Sequence, residues 1–118
     1  MFWDESLNML DKFKDECGLM GIWNCPEAAN MTYLGLYAQQ HRGQEGAGVL
    51  SLKRGVDSAF SLHKGLGLVS EVFPSGFKFS SLPGDSAIGH VRYTTAGGNK
   101  VENVQPFFAE ISCGRVGV

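Results

Sequence analysis

The chain lacks a long apolar run, a basic excess and a secretory signal. No stretch approaches the ~18 uncharged apolar residues that a helix needs to cross a bilayer, so a membrane is not an expected partner. The formal net charge is −2, with 10 basic and 12 acidic residues, which argues against nucleic acid as a partner. The first residues have no basic start and no small-residue cleavage site. We therefore expect a cytoplasmic protein.

Cysteine is also scarce. The chain has three cysteines, Cys17, Cys25 and Cys113, which are widely spaced and form no C-x-x-C pair. An odd number at this spacing argues against a disulfide framework and against a zinc site within the chain. We expect no bound metal.

Glycine, in contrast, is abundant. The 118 residues include 16 glycines, about twice the usual share of ~7%. They also include 8 Phe, 3 Tyr and 2 Trp, enough aromatic material for a core and against a disordered chain. The glycine excess predicts many tight turns and close backbone approaches, and so a fold built of strands and turns.

Residues 1–16 differ in composition from the rest. They carry five acidic residues and two lysines, and the apolar residues Trp3, Leu7 and Leu10 have helical spacing. This pattern predicts a short amphipathic leader over residues 1–16, followed by a domain over residues 17–118.

Within the domain, apolar periodicity predicts antiparallel strands and one clear helix, an α+β fold. The helix covers residues 27–40, with Leu34, Tyr37 and Ala38 facing inward. A short helix is expected between residues 65 and 79. The expected strands are a buried one over residues 19–23, then 49–52, 59–63 and 87–93, and the arms 105–111 and 115–118 of a hairpin.

The first motif, D-E-C-G-L-M-G-I, places Cys17 at the junction of leader and domain. Removal of the leader would give Cys17 a free α-amine beside its own thiol. One residue would then supply both the nucleophile and the base, as in N-terminal nucleophile enzymes. Alternatively, Cys17 is a small buried apolar residue at the start of a strand.

The second motif, Q-Q-H-R-G-Q-E-G-A-G over residues 39–48, crowds polar residues and glycines at a helix end. We interpret it as a glycine-dense loop over residues 42–48 that holds Arg42 near the start of the first strand. Alternatively, His41 caps the helix, and Gln44 and Glu45 are solvated turn residues.

The third motif, G-H-V-R-Y-T-T-A-G over residues 89–97, delivers Arg92 to the end of a strand. An arginine fork matches a carboxylate bidentately, so a substrate with an α-carboxylate would suit it. Alternation predicts His90 and Arg92 on one face of the sheet, and Val91 and Tyr93 on the other. A structural salt bridge for Arg92 is the alternative.

Taken together and in this order, the three motifs and the following Q-P-F-F resemble class II glutamine amidotransferases, most densely those that act on phosphoribosyl pyrophosphate. The resemblance runs from about Cys17 to Val118. It implies the N-terminal nucleophile (Ntn) hydrolase fold, an α-β-β-α sandwich of antiparallel sheets, here incomplete at the C-terminus.

The resemblance also implies residue roles. The leader looks like a propeptide, and Cys17 looks like the catalytic nucleophile. Arg92 resembles the arginine that binds the glutamine α-carboxylate, with Thr95 nearby in the same loop, and Arg42 resembles the one that positions the nucleophile. Three further residues are supporting candidates only: Gln44, His90 and Tyr93.

The implied reaction releases ammonia from glutamine for transfer to phosphoribosyl pyrophosphate, giving phosphoribosylamine in the first step of de novo purine synthesis. Phosphoribosyl pyrophosphate, Mg²⁺ and, in propeptide-bearing relatives, an iron–sulfur cluster would bind only through residues that this sequence does not contain. We expect no cofactor in this chain, and a homo-oligomer at full length.

One departure concerns the end of the chain. The family has an asparagine-glycine oxyanion hole just beyond the point where this chain stops, at Val118. Loss of one oxyanion donor costs ~10² to 10³ in rate, so we expect the chain alone to have little or no glutaminase activity. Two alternatives stay open: a non-catalytic fragment that pairs with a full-length amidotransferase, and the glutaminase domain of another class II amidotransferase, which Gln44 and Tyr93 disfavour.

Overall fold

The computed structural model describes residues 17–40, 44–55, 59–93 and 100–118, and the leader over residues 1–16 lies outside these ranges. The predicted leader helix and the boundary after residue 16 therefore stay predictions. The helices and strands of the described chain are β1 Gly18–Ile22, α1 Ala28–Gln39, β2 Gln44–Lys53, β3 Ala59–Leu66, α2 Val69–Val72, β4 Ser86–Tyr93, β5 Phe108–Ile111 and β6 Gly114–Gly117.

Four strands form one antiparallel sheet in the order β1-β4-β2-β3, and β5 and β6 form a separate hairpin. The central strand β4 pairs with β1 at Gly18↔Val91 and with β2 at Gly48↔His90. The β2–β4 register shifts between Gln44 and Gly46. The predicted α+β class with antiparallel strands is confirmed.

The two faces of the sheet are covered differently. On the helix face, Leu36 of α1 joins Val49 and Val91 in one buried core cluster, so the helix packs directly on the central strands. The opposite face, here called the second face, carries Gly46 and Gly48 of β2 and the residues paired with them. Within the described residues no helix is long and apolar enough to span a membrane.

The inward face of α1 differs from the prediction. Leu34 and Tyr37 are about half exposed and Ala38 is exposed, so their assignment to the core is wrong. The helix packs on Gly89 through Thr32 and Leu36, so the positions of Leu34, Tyr37 and Ala38 lie outside the buried stripe. The buried residues of α1 are Ala28, Ala29, Thr32 and Leu36.

Two strand predictions also need correction. The strand predicted as buried over residues 19–23 is β1, an edge strand whose Leu19 is 71% exposed, and Trp23 beyond its end is 68% exposed. The segment predicted as a loop over residues 42–48 is already strand from Gln44 onward, and most of its residues are buried. The short helix and the hairpin are confirmed as α2 and β5–β6.

Gly89 sets how closely helix and sheet approach. A Cβ at Gly89 would lie 2.6 Å from Thr32 Cγ2 and 2.8 Å from Leu36 Cδ1. We expect Gly89→Ala to lower the free energy of unfolding by about 1–3 kcal/mol, because overpacking forces the helix away. Urea denaturation measures this change.

Gly21 provides the matched control, because a Cβ there would meet no atom within 4 Å. Gly21→Ala should change the free energy of unfolding by less than about 0.5 kcal/mol. Equal destabilisation by the two substitutions would contradict the close packing of α1 on β4.

Candidate functional site

Cys17 and Arg92 lie at the same end of the sheet. Cys17 is exposed, carries a free thiol and directly precedes β1. Because Gly18 pairs with Val91 in an antiparallel register, continuing that register by one residue places Cys17 level with Arg92. The sheet therefore brings together two predicted site residues that are 75 positions apart in sequence.

Arg92 is buried, with 8% of its surface exposed, and lies on the second face opposite Gly46. Its Nη1 donates a hydrogen bond to the Asn103 carbonyl at 3.1 Å. His90 shares this face, because it pairs with Gly48 two residues along. The predicted alternation is confirmed, since Val91 belongs to the core cluster on the helix face.

Tyr93 secures the end of β4 to the helix. Its side chain is almost fully buried in the core cluster, and its hydroxyl donates to the Gln39 carbonyl at 3.0 Å. Gln39 is the last residue of α1. Tyr93 therefore supports the strand that carries Arg92.

Gln44 fixes the start of β2. The interpretation of Gln44 as a solvated turn residue is wrong, because the side chain is buried. Its amide donates to the carbonyls of Gly46 and Gly67, each at 2.9 Å, and accepts from the Val69 backbone N–H at 3.3 Å. Gln44 thus ties the irregular start of β2, beside Arg92, to the turn before α2.

Two glycines of the second motif, Gly46 and Gly48, are in close contact with another segment of the same chain. Residues 103–106, here called the crossing segment, run over β2 on the second face. A Cβ at Gly46 would lie 2.8 Å from Val104 Cγ2, and one at Gly48 would lie 2.6 Å from the Gln105 carbonyl oxygen. Lys64 of β3 donates to the Val104 carbonyl at 2.6 Å.

The motifs did not single out Lys64 or Asn103. The Lys64 side chain donates to the Val104 carbonyl, and the Asn103 backbone carbonyl accepts from Arg92. Neither residue stands in a sequence pattern that indicates chemistry. The available signal was indirect: glycines at alternate positions of one strand predict that something lies close above that face.

His90 has an unusual electrostatic environment. Burial lowers the pKa of its imidazole, and the positive charge of Arg92 lowers it further. Its Nδ1 atom is buried and has no hydrogen-bond partner among the described residues. Both causes favour the neutral imidazole beside the positive charge of Arg92.

Two predicted site residues, Arg42 and Thr95, lie outside the described residues, and their roles stay predictions. His41 lies outside them as well. In the described ranges, no group of three or more His, Cys, Asp or Glu side chains is arranged to hold a metal ion. All three cysteines of the chain are free thiols.

An apolar cavity in the described part of the chain lies elsewhere. Its volume is about 290 Å³, and Ile22, Leu50, Phe60 and Ile88 contribute to its walls. These residues lie toward the other end of the sheet, and none of the predicted site residues lines the cavity. The cavity is therefore separate from the Cys17–Arg92 end.

Comparison with known proteins gives close relatives, although no protein-family model matches the chain. Amidophosphoribosyltransferase 2, chloroplastic, of Arabidopsis thaliana is 52% identical over 92% of this chain and 19% of that protein. The amidophosphoribosyltransferase of Bacillus subtilis is 52% identical over 78% of this chain and 18% of that protein. The chain thus spans about a fifth of these relatives, in their N-terminal region.

Solved structures agree. Glutamine phosphoribosylpyrophosphate amidotransferase from B. subtilis, complexed with ADP and GMP, superimposes with a TM-score of 0.70 and 43% identity. The match covers 84% of this chain and 20% of that one. A structure described as the allosteric regulatory enzyme of purine biosynthesis gives a TM-score of 0.67 and 49% identity, over 80% of this chain and 19% of that one. The expected Ntn-hydrolase fold is confirmed by these matches.

The environment of His90 predicts how stability depends on pH. The unfolded chain binds a proton near the ordinary pKa of 6.5, whereas the folded chain resists it. The contribution of the neutral His90 side chain to the free energy of unfolding is complete above about pH 6.5. It is lost as the pH falls toward the lowered pKa of the folded state. Between about pH 7.5 and about pH 5.5, wild type should lose more stability than His90→Gln.

Urea denaturation across this pH range tests the expectation. As a second readout, the NMR titration of His90 should shift to higher pH in Arg92→Met, because the guanidinium charge is one cause of the lowered pKa. An identical pH dependence in wild type and His90→Gln would contradict the assignment.

Proposed function

Because the chain belongs to the amidophosphoribosyltransferase family, we propose that it carries the nucleophile and the carboxylate-binding arginine of a glutaminase site. The placement of Cys17 level with Arg92 at one end of the sheet is the observation that carries this proposal. A nucleophile and a carboxylate anchor at one site suit a small substrate that has both an amide and an α-carboxylate. Glutamine is that substrate.

The chemistry begins once Cys17 is the first residue. A free α-amine has a pKa of about 7.7–8.0, so it is partly neutral near pH 7 and accepts the thiol proton. The thiolate attacks the side-chain amide carbon of glutamine, and a sulfur–carbon bond forms. The carbon–nitrogen bond then breaks, and ammonia leaves with the proton. Water hydrolyses the glutamyl thioester, which gives glutamate and restores the thiol.

Arg92 orients the substrate in this scheme. Its planar guanidinium presents five N–H donors, and two of them match a carboxylate side by side. The Asn103 carbonyl accepts one hydrogen bond from Nη1 and so restricts rotation of the plane. Burial strengthens the pairing, because a charge-assisted hydrogen bond gains strength away from water.

We propose the remaining steps for a protein of the relatives' full length. Ammonia displaces pyrophosphate from the ribose carbon of phosphoribosyl pyrophosphate and yields phosphoribosylamine, the first step of de novo purine synthesis. Mg²⁺, the iron–sulfur cluster of some relatives, homo-oligomerisation and a cytoplasmic location are proposed for that protein. The plant relatives are chloroplastic by name, so the compartment varies within the family.

Neither alternative function gains support from the comparisons. The relatives and solved structures described above are amidophosphoribosyltransferases or the allosteric enzyme of purine biosynthesis, which disfavours another class II amidotransferase. A non-catalytic fragment that pairs with a full-length enzyme would not need Cys17 to react. Labelling of that residue therefore separates the two accounts.

The test uses an electrophilic glutamine analogue, 6-diazo-5-oxo-L-norleucine, on a variant with Cys25→Ala and Cys113→Ala, whose single thiol is Cys17. We expect adducts on molecules whose intact mass shows that they begin at Cys17, and none on molecules that retain residues 1–16. Excess glutamine should slow the labelling, because both compounds occupy one site. Intact-mass spectrometry measures every species.

Two controls define the result. Cys17→Ser in the same background should remove the adduct. Iodoacetamide should also alkylate Cys17, and excess glutamine should slow that alkylation far less than it slows labelling by the analogue. Labelling that glutamine does not slow, or labelling of Cys113 at the same rate in the wild-type chain, would contradict the proposed function.

A further inference from the structure

Two positive side chains from different strands hold consecutive carbonyls of the crossing segment. Arg92 of β4 donates to the Asn103 carbonyl at 3.1 Å, and Lys64 of β3 donates to the Val104 carbonyl at 2.6 Å. Because β2 lies between β3 and β4, the crossing segment bridges the sheet from one cation to the other. The two contacts are therefore mechanically linked.

The crossing segment lies directly on the sheet. Val104 is fully buried, and its side chain occupies the space that a Cβ at Gly46 would fill. The Gln105 carbonyl occupies the corresponding space above Gly48. With so little clearance, a lateral shift at Val104 moves the Asn103 carbonyl by a similar amount, since the two are adjacent.

The turn before the crossing segment makes this link stiff. Residues Val101–Asn103 form a short 3-10 helix, closed by a hydrogen bond from the Val104 N–H to the Val101 carbonyl at 3.1 Å. Because the Val104 N–H and the Asn103 carbonyl share one peptide plane, this hydrogen bond restricts reorientation of the Asn103 carbonyl.

Lys64 is placed to act as the lateral anchor. Its ammonium lies 4.9 Å from the centre of the Phe107 ring, so the cation has an aromatic contact beside its carbonyl partner. Burial lowers the pKa of Lys64, and the Glu102 carboxylate opposes that shift. A partly desolvated ammonium binds a carbonyl more strongly than a fully hydrated one.

We propose that Lys64 is a positioning residue for recognition of the glutamine carboxylate: it fixes the crossing segment, whose Asn103 carbonyl orients the guanidinium of Arg92. The proposal rests on the proposed function, in which Arg92 binds that carboxylate. Lys64 itself does not contact the substrate in this account.

The first experiment needs no substrate. In the full chain, Lys64→Met should raise the hydrogen-exchange rate of the Val104 amide by about tenfold or more, because the crossing segment loses its anchor. It should also shift the Arg92 side-chain ¹⁵N–¹H signal. Lys64→Arg, which keeps a cationic donor, should lie closer to wild type.

Lys53→Met is the matched control. It removes the same charge from an exposed position at the far end of the neighbouring strand β2. It should change neither signal. Unaltered exchange at Val104 together with an unaltered Arg92 signal in Lys64→Met would overturn the proposal, whatever the protein does with glutamine.

The second experiment compares affinities for L-glutamine and for L-glutaminamide, which lacks the α-carboxylate. Wild type should prefer glutamine, and Lys64→Met should reduce this preference about tenfold, as expected when a binding group is misplaced. A purely structural role would weaken both ligands equally. Gly48→Ala keeps the Lys64 ammonium but crowds both the Gln105 carbonyl oxygen and the Lys64 Cβ, so it should reduce the preference as well.

The outcomes are distinguishable. No preference in wild type would refute Arg92 as the carboxylate site, and with it the proposed function. A preference that wild type shows and that Lys64→Met and Gly48→Ala both retain would leave the proposed function standing and would overturn the role of Lys64. Loss in these two variants, with retention in Lys53→Met, would support it.

Discussion

The pairing of β4 with a strand on either side is the constraint on which the rest of the structure depends. Its register with β1 sets Cys17 level with Arg92, and its register with β2 sets Gly46 opposite Arg92. Side chains alternate along a strand, so a slip of one residue would turn Arg92 toward α1 and remove it from the site. The candidate site is thus a consequence of backbone hydrogen bonding before it is a matter of side chains.

Glycines on the two central strands, β2 and β4, allow other segments of the chain to pack closely on both faces of the sheet. Gly89 admits α1 on the helix face, and Gly46 and Gly48 admit the crossing segment on the second face. The crossing segment in turn supplies the carbonyl that Arg92 contacts. The described glycines therefore serve close packing at these positions, and the predicted turns are confirmed at the five glycines with positive φ: Gly55, Gly67, Gly76, Gly84 and Gly114.

Local pattern was sufficient for the helix α1, for most strands and for the faces of His90 and Arg92, because alternation and helical periodicity are short-range properties. Local pattern was insufficient where a contact with a distant segment decides whether a side chain is buried. Leu34 is half exposed because α1 packs on β4 through Thr32 and Leu36 instead. Gln44 is buried because its amide donates to the Gly67 carbonyl. The two partners in each contact are far apart in sequence, so no local motif predicts the contact.

The central claim is that Cys17 and Arg92 share one end of the sheet. A nitroxide attached to Cys17, in a chain with Cys25→Ala and Cys113→Ala, tests it through paramagnetic broadening of backbone amide signals along β4. The account predicts that broadening is strongest at Arg92 and declines steadily toward Ser86, which lies six residues away on the same strand. Uniform broadening along β4, or broadening strongest at Ser86, would contradict the register and the site built on it.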